Sequence, residues 1–202
     1  MLTRNLHVRF NLRFRTAAIA ALMALAFIAS ADAAYMLVKA RLAQLLIEHS
    51  WNTTGSQPWP WADTKPVARL VIPDIELDSY VLNGATGAAL AFGPGMVSGS
   101  ATPGESGVAM IAAHRDTHFE TLGEISPGAL VHLQNTDKRW HQYQVTDIRI
   151  ADSRIEHIEP LVGDSKMILV TCYPFGALIP GGPLRYVVEA ELMHKSGGKA
   201  HS

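Results

Sequence analysis

The sequence has little cysteine and almost no excess charge of either sign. Its 202 residues include one cysteine, Cys172, and the formal net charge is −1. A single cysteine excludes an internal disulfide and the zinc sites that need several cysteines. A charge near zero provides no basic field of the kind that attracts nucleic acid, so no nucleic-acid partner is predicted. There is also no internal repeat and no low-complexity tract.

The N-terminal part combines a basic start with a long apolar run. Four arginines lie within residues 1–15, and residues 16–38 are mostly apolar, interrupted by Ser30 and Asp32. A membrane-spanning helix needs about 20 mostly apolar residues, so this run predicts a transmembrane signal anchor with the basic tail in the cytoplasm. A cleaved signal peptide is the alternative, because small residues at 29–34 are typical of a cleavage site. Both alternatives predict that the rest of the chain leaves the cytoplasm.

The segment at 39–66 is expected to be a helical extension followed by a linker. Apolar residues recur at helical spacing up to about residue 51. From residue 52 to 66 the sequence turns to proline, glycine and small polar residues, which are typical of a linker. The folded domain is then predicted at 67–193, and residues 194–202 form a C-terminal tail.

Residues 67–193 contain short apolar or alternating segments separated by glycine and proline turns. This pattern predicts an all-β domain, either a closed barrel or a sandwich, with one short helix at "TGAALAFG". The predicted strands are "VARLVIP", "ELDSYVLN", "VAMIAAH", "ALVHLQ", "HQYQVTDIRIA", "KMILVTC" and "PLRYVVEAELM". "VAMIAA" and "MILVT" are apolar throughout, which indicates strands buried on both faces.

Both fully apolar strands end in a chemically reactive residue, His114 in one and Cys172 in the other. A free cysteine is most often a small buried hydrophobe, so the thiol alone does not indicate chemistry. A histidine brought near it by the fold would make it a candidate nucleophile. Arg185 stands at the start of the last strand, where it is either a solvent-facing side chain or a guanidinium that stabilises developing negative charge.

Two other interpretations of the histidine segment fail on neighbouring residues. His114-Arg115-Asp116 resembles the catalytic triplet of protein kinases, but the leucine and asparagine that should follow are absent. His114 and His118 have the spacing of a zinc-binding helix, but arginine stands where the catalytic glutamate belongs, and the segment follows a strand. No metal and no cofactor are therefore predicted.

Taken in order, these segments resemble the sortases, a family of membrane-anchored cysteine transpeptidases. "LVTCYPFG" at 169–176 resembles the family's cysteine strand, and "AAHRDTHFETLGEISPG" at 112–128 resembles its histidine segment. "RLVIPDIELDSYVLNGAT" at 69–86 is similar to its first two strands, and "LRYVV" at 184–188 matches the position of its arginine. The resemblance implies a closed β-barrel of about eight strands with short helices, preceded by a transmembrane helix.

The resemblance also implies roles for four residues. Cys172 would be the nucleophile, His114 the general acid and base, and Arg185 the group that positions the peptide and stabilises the oxyanion. Thr171 would help to bind the substrate. The implied partners are a protein with an LPxTG-like C-terminal sorting signal, an amine acceptor and the membrane. The Pro-Gly-Gly-Pro-Leu-Arg segment looks like the Gram-negative, proteobacterial branch, which implies a single-pass protein of the cell inner membrane.

Overall fold

The chain divides into two compact units, Met1–Ala43 and Gln44–Ser202. The computed structural model describes residues 3–158, 165–177 and 181–193. The C-terminal tail predicted at 194–202 lies outside these described residues.

One long helix, α1, runs over Thr3–Asn52 and includes the predicted helical extension. Its sequence is rich in alanine and leucine and has no glycine or proline, a composition that favours an uninterrupted helix. Gly55, at a φ of 62°, ends the helix by donating its amide hydrogen to the Ser50 carbonyl at 2.7 Å. Within the described part of the chain, no helix is both long enough and apolar enough to cross a membrane. The transmembrane span predicted for residues 16–38 is therefore not confirmed.

Eight strands and a second short helix follow α1. The strands are β1 (Pro66–Ile72), β2 (Leu77–Asn83), β3 (Gly95–Met96), β4 (Val108–Ala112), β5 (Leu130–Gln134), β6 (Trp140–Asp152), β7 (Lys166–Cys172) and β8 (Leu184–Leu192). The helix α2 is Gly87–Leu90, and one-turn 3-10 helices occupy Pro73–Ile75 and Glu120–Glu124. All seven predicted strands and the short helix are confirmed, whereas β3 lies in a glycine-rich stretch where no strand was predicted.

The strands close into a barrel in the order β1-β2-β3-β4-β7-β8-β6-β5. The pairs β2–β3 and β4–β7 are parallel, and the other pairs are antiparallel. The predicted closed barrel of about eight strands is therefore correct, and the sandwich is wrong. Closure also means that the central strands β4 and β7 lie side by side, although more than 50 residues of chain separate them.

The two central strands are buried on both faces, which explains their unbroken apolar sequences. Ala109, Ile111, Met167 and Leu169 point into the barrel and pack with the main core. Residues between them point outward into a second cluster, which we call the outer cluster. It consists of Val108, Met110, Ala151, Ile168, Val170 and Val187. The outer cluster is a second buried apolar layer, and the candidate site lies next to it.

The last turns of α1 belong to the second compact unit and pack on the barrel. Ile47 and Trp51 are buried, and the Trp51 ring lies 6.2 Å from that of Tyr80 in β2. The Gln44 amide donates a hydrogen bond to the Phe92 carbonyl at 2.6 Å. The Lys138 ammonium lies over the Trp51 ring, 3.5 Å from its centroid. The predicted extension is thus a structural part of the barrel unit from Gln44 onward.

Candidate active site

Two adjacent parallel strands end at the same edge of the barrel, and each carries a reactive residue there. β4 ends at Ala112, two residues before His114, and β7 ends at Cys172 itself. Ala112 lies opposite Val170 in the parallel pair. Because parallel strands run in the same direction, their carboxyl ends meet at one edge, and the two reactive residues come together there.

The backbone ladder between these strands continues towards His114. The Ala113 amide donates a hydrogen bond to the Val170 carbonyl at 3.2 Å. Residues two apart on a strand share a face, so the next step beyond the Ala112–Val170 pair places His114 level with Cys172. Both lie on the outer face of the barrel, which also carries the outer cluster.

Arg185 stands on the other side of the cysteine. Cys172 and Arg185 are direct cross-strand partners in the antiparallel β7–β8 pair. Side chains of such partners share a face, with Cβ atoms about 4.5–5.5 Å apart. Cys172 and Arg185 are therefore paired on β7 and β8, and His114 lies two residues beyond the end of the adjacent β4; we call these three residues the His–Cys–Arg row.

The row is partly open to solvent and lies next to the buried outer cluster. His114 is exposed, and Cys172 and Arg185 are half-buried. The next level along the strands is Val170 paired with Val187, both buried members of the outer cluster. The thiol is therefore partly accessible from solvent and is backed by buried apolar side chains.

Thr171 points to the opposite face, into the barrel, and is only 2% exposed. Its hydroxyl donates a hydrogen bond to the Ala113 carbonyl at 2.8 Å. This bond links β7 to the residue immediately before His114. The substrate-binding role of Thr171 stays a prediction, and in this structure its hydroxyl is engaged within the protein.

Replacing Thr171 with valine is expected to lower the free energy of unfolding by about 1–3 kcal/mol. Valine has nearly the same shape but leaves the buried Ala113 carbonyl without its hydroxyl donor. Urea denaturation followed by circular dichroism measures the change. The matched control is Thr146→Val, because the Thr146 hydroxyl is exposed and makes only a long contact of 3.4 Å with the Glu189 carbonyl. Equal stability losses in the two variants would contradict this account.

The Arg185 guanidinium is held by two backbone carbonyls that precede it, one in the loop and one at the first residue of β8. Its Nη1 donates to the Gly182 carbonyl at 2.8 Å and to the Leu184 carbonyl at 2.9 Å. Neither partner is a carboxylate, so these contacts leave the positive charge of the guanidinium uncompensated. The charge remains available to an anionic group that forms beside Cys172.

A second histidine, His118, lies close to His114 and differs from it in burial. Burial lowers the pKa of His118 below its usual 6.5, and the nearby His114 lowers it further, although a hydrogen bond to the Ala91 backbone opposes the shift. A lowered pKa keeps the imidazole of His118 neutral near pH 7. His114 is the solvent-exposed imidazole of the pair and the one on the outer face with Cys172.

Several charged side chains form ion pairs near the C-terminal end of β6. Arg149 pairs with Glu156 at 2.6 Å and with Glu189 at 3.3 Å. Asp152 pairs with Arg154 at 2.6 Å, and hydrogen bonding from Arg154 lowers the pKa of this carboxyl to about 2. Since Asp152 lies opposite Leu184 in the β6–β8 pair, this charged group borders the arginine end of the His–Cys–Arg row.

One buried residue of the site, Arg115, was missed by reasoning from the sequence. It follows His114 directly and is only 4% exposed. Its guanidinium donates to the carbonyls of Pro174 and Ala177, which lie just after Cys172. The signal was present in the sequence, because an arginine directly after a reactive histidine at the end of a buried strand needs several hydrogen-bond partners if it is buried.

The arrangement supplies the three groups that acyl transfer needs. A thiol can act as nucleophile, an imidazole can donate and accept protons, and a guanidinium can stabilise an oxyanion. All three sit on ordered strand ends, or within two residues of one, so the core of the barrel fixes their positions.

Comparison with known proteins identifies the family. A family model described as the sortase domain matches residues 70–193, more than half of the chain. The chain is 30% identical over 120 residues to sortase D of Bacillus subtilis (strain 168), a match that covers 59% of this chain and 60% of that relative. The chain therefore spans less than two thirds of that relative's length.

Solved structures show the same fold. A sortase D5 transpeptidase from Clostridium perfringens superposes with a TM-score of 0.60 and 20% identity over 75% of this chain and 96% of that chain. Sortase A from Corynebacterium diphtheriae superposes with a TM-score of 0.56 and 22% identity over 68% of this chain and 65% of that chain. From the match to the family model, we conclude that the chain belongs to the sortase family.

Proposed function

We propose that the protein is a cysteine transpeptidase. It cleaves an LPxTG-like C-terminal sorting signal between threonine and glycine and transfers the cleaved protein to an amine acceptor. The observation that carries this proposal is the His–Cys–Arg row, in which Cys172 is paired with Arg185 on β8 and has His114 just beyond the end of the adjacent strand β4. Membership of the sortase family supports the reaction class.

The first half of the reaction forms a thioester. The Cys172 thiolate attacks the carbonyl carbon of the signal's threonine, and the carbonyl oxygen becomes an oxyanion next to Arg185. As the intermediate collapses, the carbon–nitrogen bond breaks and the glycine amine takes a proton from the His114 imidazolium. The products of this step are an acyl-enzyme and a free peptide amine.

The second half regenerates the enzyme. The acceptor amine attacks the thioester carbonyl and gives its proton to His114, after which the carbon–sulfur bond breaks and Cys172 leaves as a thiolate. One amide replaces another, so the bond energy is conserved through the thioester. The reaction therefore needs no nucleotide and can run outside the cytoplasm.

Trapping the thioester tests this proposal. The full chain is incubated with an LPxTG-like peptide, with and without an added amine, and followed by intact-protein mass spectrometry. We expect a mass increase equal to the acyl fragment on Cys172, and a peptide–amine product when the amine is present. Absence of any covalent adduct would exclude covalent catalysis and favour a non-catalytic peptide-binding domain.

The same assay separates transfer from hydrolysis. A transpeptidase yields the amide of the added amine in preference to the free acid. A cysteine peptidase yields the free acid whatever amine is supplied. Formation of the acid alone, over a range of amines, would make the protein a hydrolase that shares the sortase fold.

Replacing Arg185 with methionine is expected to lower kcat by about 10²–10³-fold, because the oxyanion loses its charged partner. Methionine keeps much of the length of the side chain, and Arg185→Lys retains the charge but not the planar fork, so lysine should recover part of the rate. Steady-state transfer kinetics measure both variants. Arg139→Met is the matched control, since Arg139 is exposed in the turn between β5 and β6. A kcat unchanged in Arg185→Met would remove this arginine from the mechanism.

We also propose that the domain acts on the outer side of the inner membrane of a Gram-negative cell. Support comes from the sequence alone: arginines at 1–15 precede the apolar run, and Pro-Gly-Gly-Pro-Leu-Arg stands at 180–185. Protease added to spheroplasts should digest residues 67–193, and protection of that region in intact spheroplasts would overturn the proposal. N-terminal sequencing of the cellular protein distinguishes a retained segment from a cleaved one.

A further inference from the structure

Arg115 is a buried charge placed between the histidine segment and the cysteine segment. Its side chain is 3% exposed, and Nε donates to the Asp116 carboxylate at 3.0 Å. Nη1 donates to the Pro174 carbonyl at 2.6 Å, and Nη2 donates to the Ala177 carbonyl at 3.1 Å. All three nitrogens of the guanidinium are thus engaged, two of them with the chain that follows Cys172.

A guanidinium is costly to bury, so such a residue persists only where its hydrogen bonds are satisfied. Among the described residues, the carboxylate that pairs with it is that of Asp116, which is 62% exposed, so solvent screens this pair and weakens its support. The two carbonyls therefore carry most of the interaction. They belong to residues two and five positions after Cys172, whereas Arg115 itself comes directly after His114.

A second contact joins the same two segments. A Cβ placed on Gly123, in the 3-10 helix after His114, would lie 2.9 Å from the Phe175 ring. Phe175 also packs edge-on against Tyr186 of β8, with ring centroids 5.1 Å apart. The cysteine segment is therefore held closely against the histidine segment by packing, in addition to the guanidinium.

We propose that Arg115 is a positioning residue for the reaction: its guanidinium ties the segment after Cys172 to the segment after His114. Beyond the two strand ends, this tie fixes the separation of thiol and imidazole. Arginine suits the position because its planar fork reaches two carbonyls and a carboxylate at once, which the point charge of lysine does not. The inference rests on the proposed function in one respect: the measurement of kcat and KM requires that the protein transfers the peptide.

The test compares Arg115→Lys and Arg115→Met with wild type in the full chain. A matched control is Arg69→Met, which removes an arginine that makes two bonds to Asp78, at 2.8 and 2.6 Å, on the far side of the barrel. Three quantities are measured: kcat and KM for peptide transfer, the rate of alkylation by iodoacetamide, and the melting temperature. Because Cys172 is the only cysteine, the alkylation rate reports on one thiol.

We expect kcat of Arg115→Met to fall by about 10–100-fold, the cost of displacing reacting groups by about 1 Å, with KM changed much less. The alkylation rate of Cys172 should fall as well, because the His114 imidazole, which favours the reactive thiolate, is no longer held beside the thiol. Arg115→Lys, which can still reach one carbonyl, should be intermediate in both quantities. Arg69→Met should change neither.

A structural role alone gives a different result. It would lower the melting temperature of both Arg115 variants and leave kcat and the alkylation rate of the folded protein unchanged, which would overturn the inference. If wild type transfers no peptide, the proposed function fails, and the alkylation rate then decides about Arg115 by itself. An unchanged rate would again overturn the positioning role, and a lowered rate in both variants would support it.

Discussion

Replacing Cys172 with alanine is expected to abolish peptide transfer, lowering the rate by at least about 10⁴-fold. Both halves of the proposed reaction pass through the sulfur of this residue, and the chain has no second cysteine to replace it. Transfer of an LPxTG-like peptide to an added amine, followed by chromatography and mass spectrometry, measures the loss. The acyl-enzyme mass should disappear in the same samples.

A structural control separates the loss of the thiol from a loss of the fold. Cys172 is half-buried at the last position of β7, so truncation there leaves the main core intact. The melting temperature should therefore change by no more than about 4 °C, the shift that about 1 kcal/mol produces in a domain of this size. Peptide transfer by a folded Cys172→Ala variant would require another nucleophile, and the assignment of Cys172 would be wrong.

Seven of the eight strands were predictable because each has a local sequence signal. β4 and β7 are apolar throughout, and their two buried faces, one in the core and one in the outer cluster, explain that pattern. In β6 and β8 apolar and polar residues alternate, in keeping with a barrel wall that is exposed on one side over part of its length. β3 was missed since two residues, Gly95 and Met96, are too few to show any periodicity.

Which strands pair with each other could not be predicted from local sequence signals. The sequence places a histidine and a cysteine at the ends of two buried strands, but nothing local indicates that these strands pair. The pairing of β4 with β7 is parallel and crosses more than 50 residues of chain, including β5 and β6. Such a contact depends on closure of the whole barrel, which the family resemblance implied and the spacing did not.

Side-chain direction was the other feature that the sequence left open. Thr171 and Cys172 are adjacent in sequence, and both were placed at the site. On a strand, successive side chains point to opposite faces, so Cys172 lies in the row while Thr171 faces the core. Arg115 shows the reverse case: no role at the site was predicted for it from the sequence, because its contacts with Pro174 and Ala177 depend on tertiary structure.

Replacing His114 with alanine is expected to lower kcat for transfer by about 10²–10⁴-fold, the range for loss of a general acid and base. Without the imidazole, the leaving amine has no proton donor and the acceptor amine has no proton acceptor. Steady-state kinetics measure the effect, and added imidazole should restore part of the rate in His114→Ala. His132→Gln is the matched control. His132 lies on β5, which pairs with β1 and β6 and therefore not with the strands that carry the His–Cys–Arg row.

The neighbouring histidine supplies the decisive comparison. His118 is half-buried, and burial lowers its pKa, so it stays neutral near pH 7 and is poorly suited to deliver a proton. We therefore expect His118→Gln to retain far more activity than His114→Ala, and imidazole to have no effect on it. If His118→Gln lost the activity and His114→Ala kept it, the proton would move through His118. The His–Cys–Arg row would then describe the position of the thiol but not its acid and base.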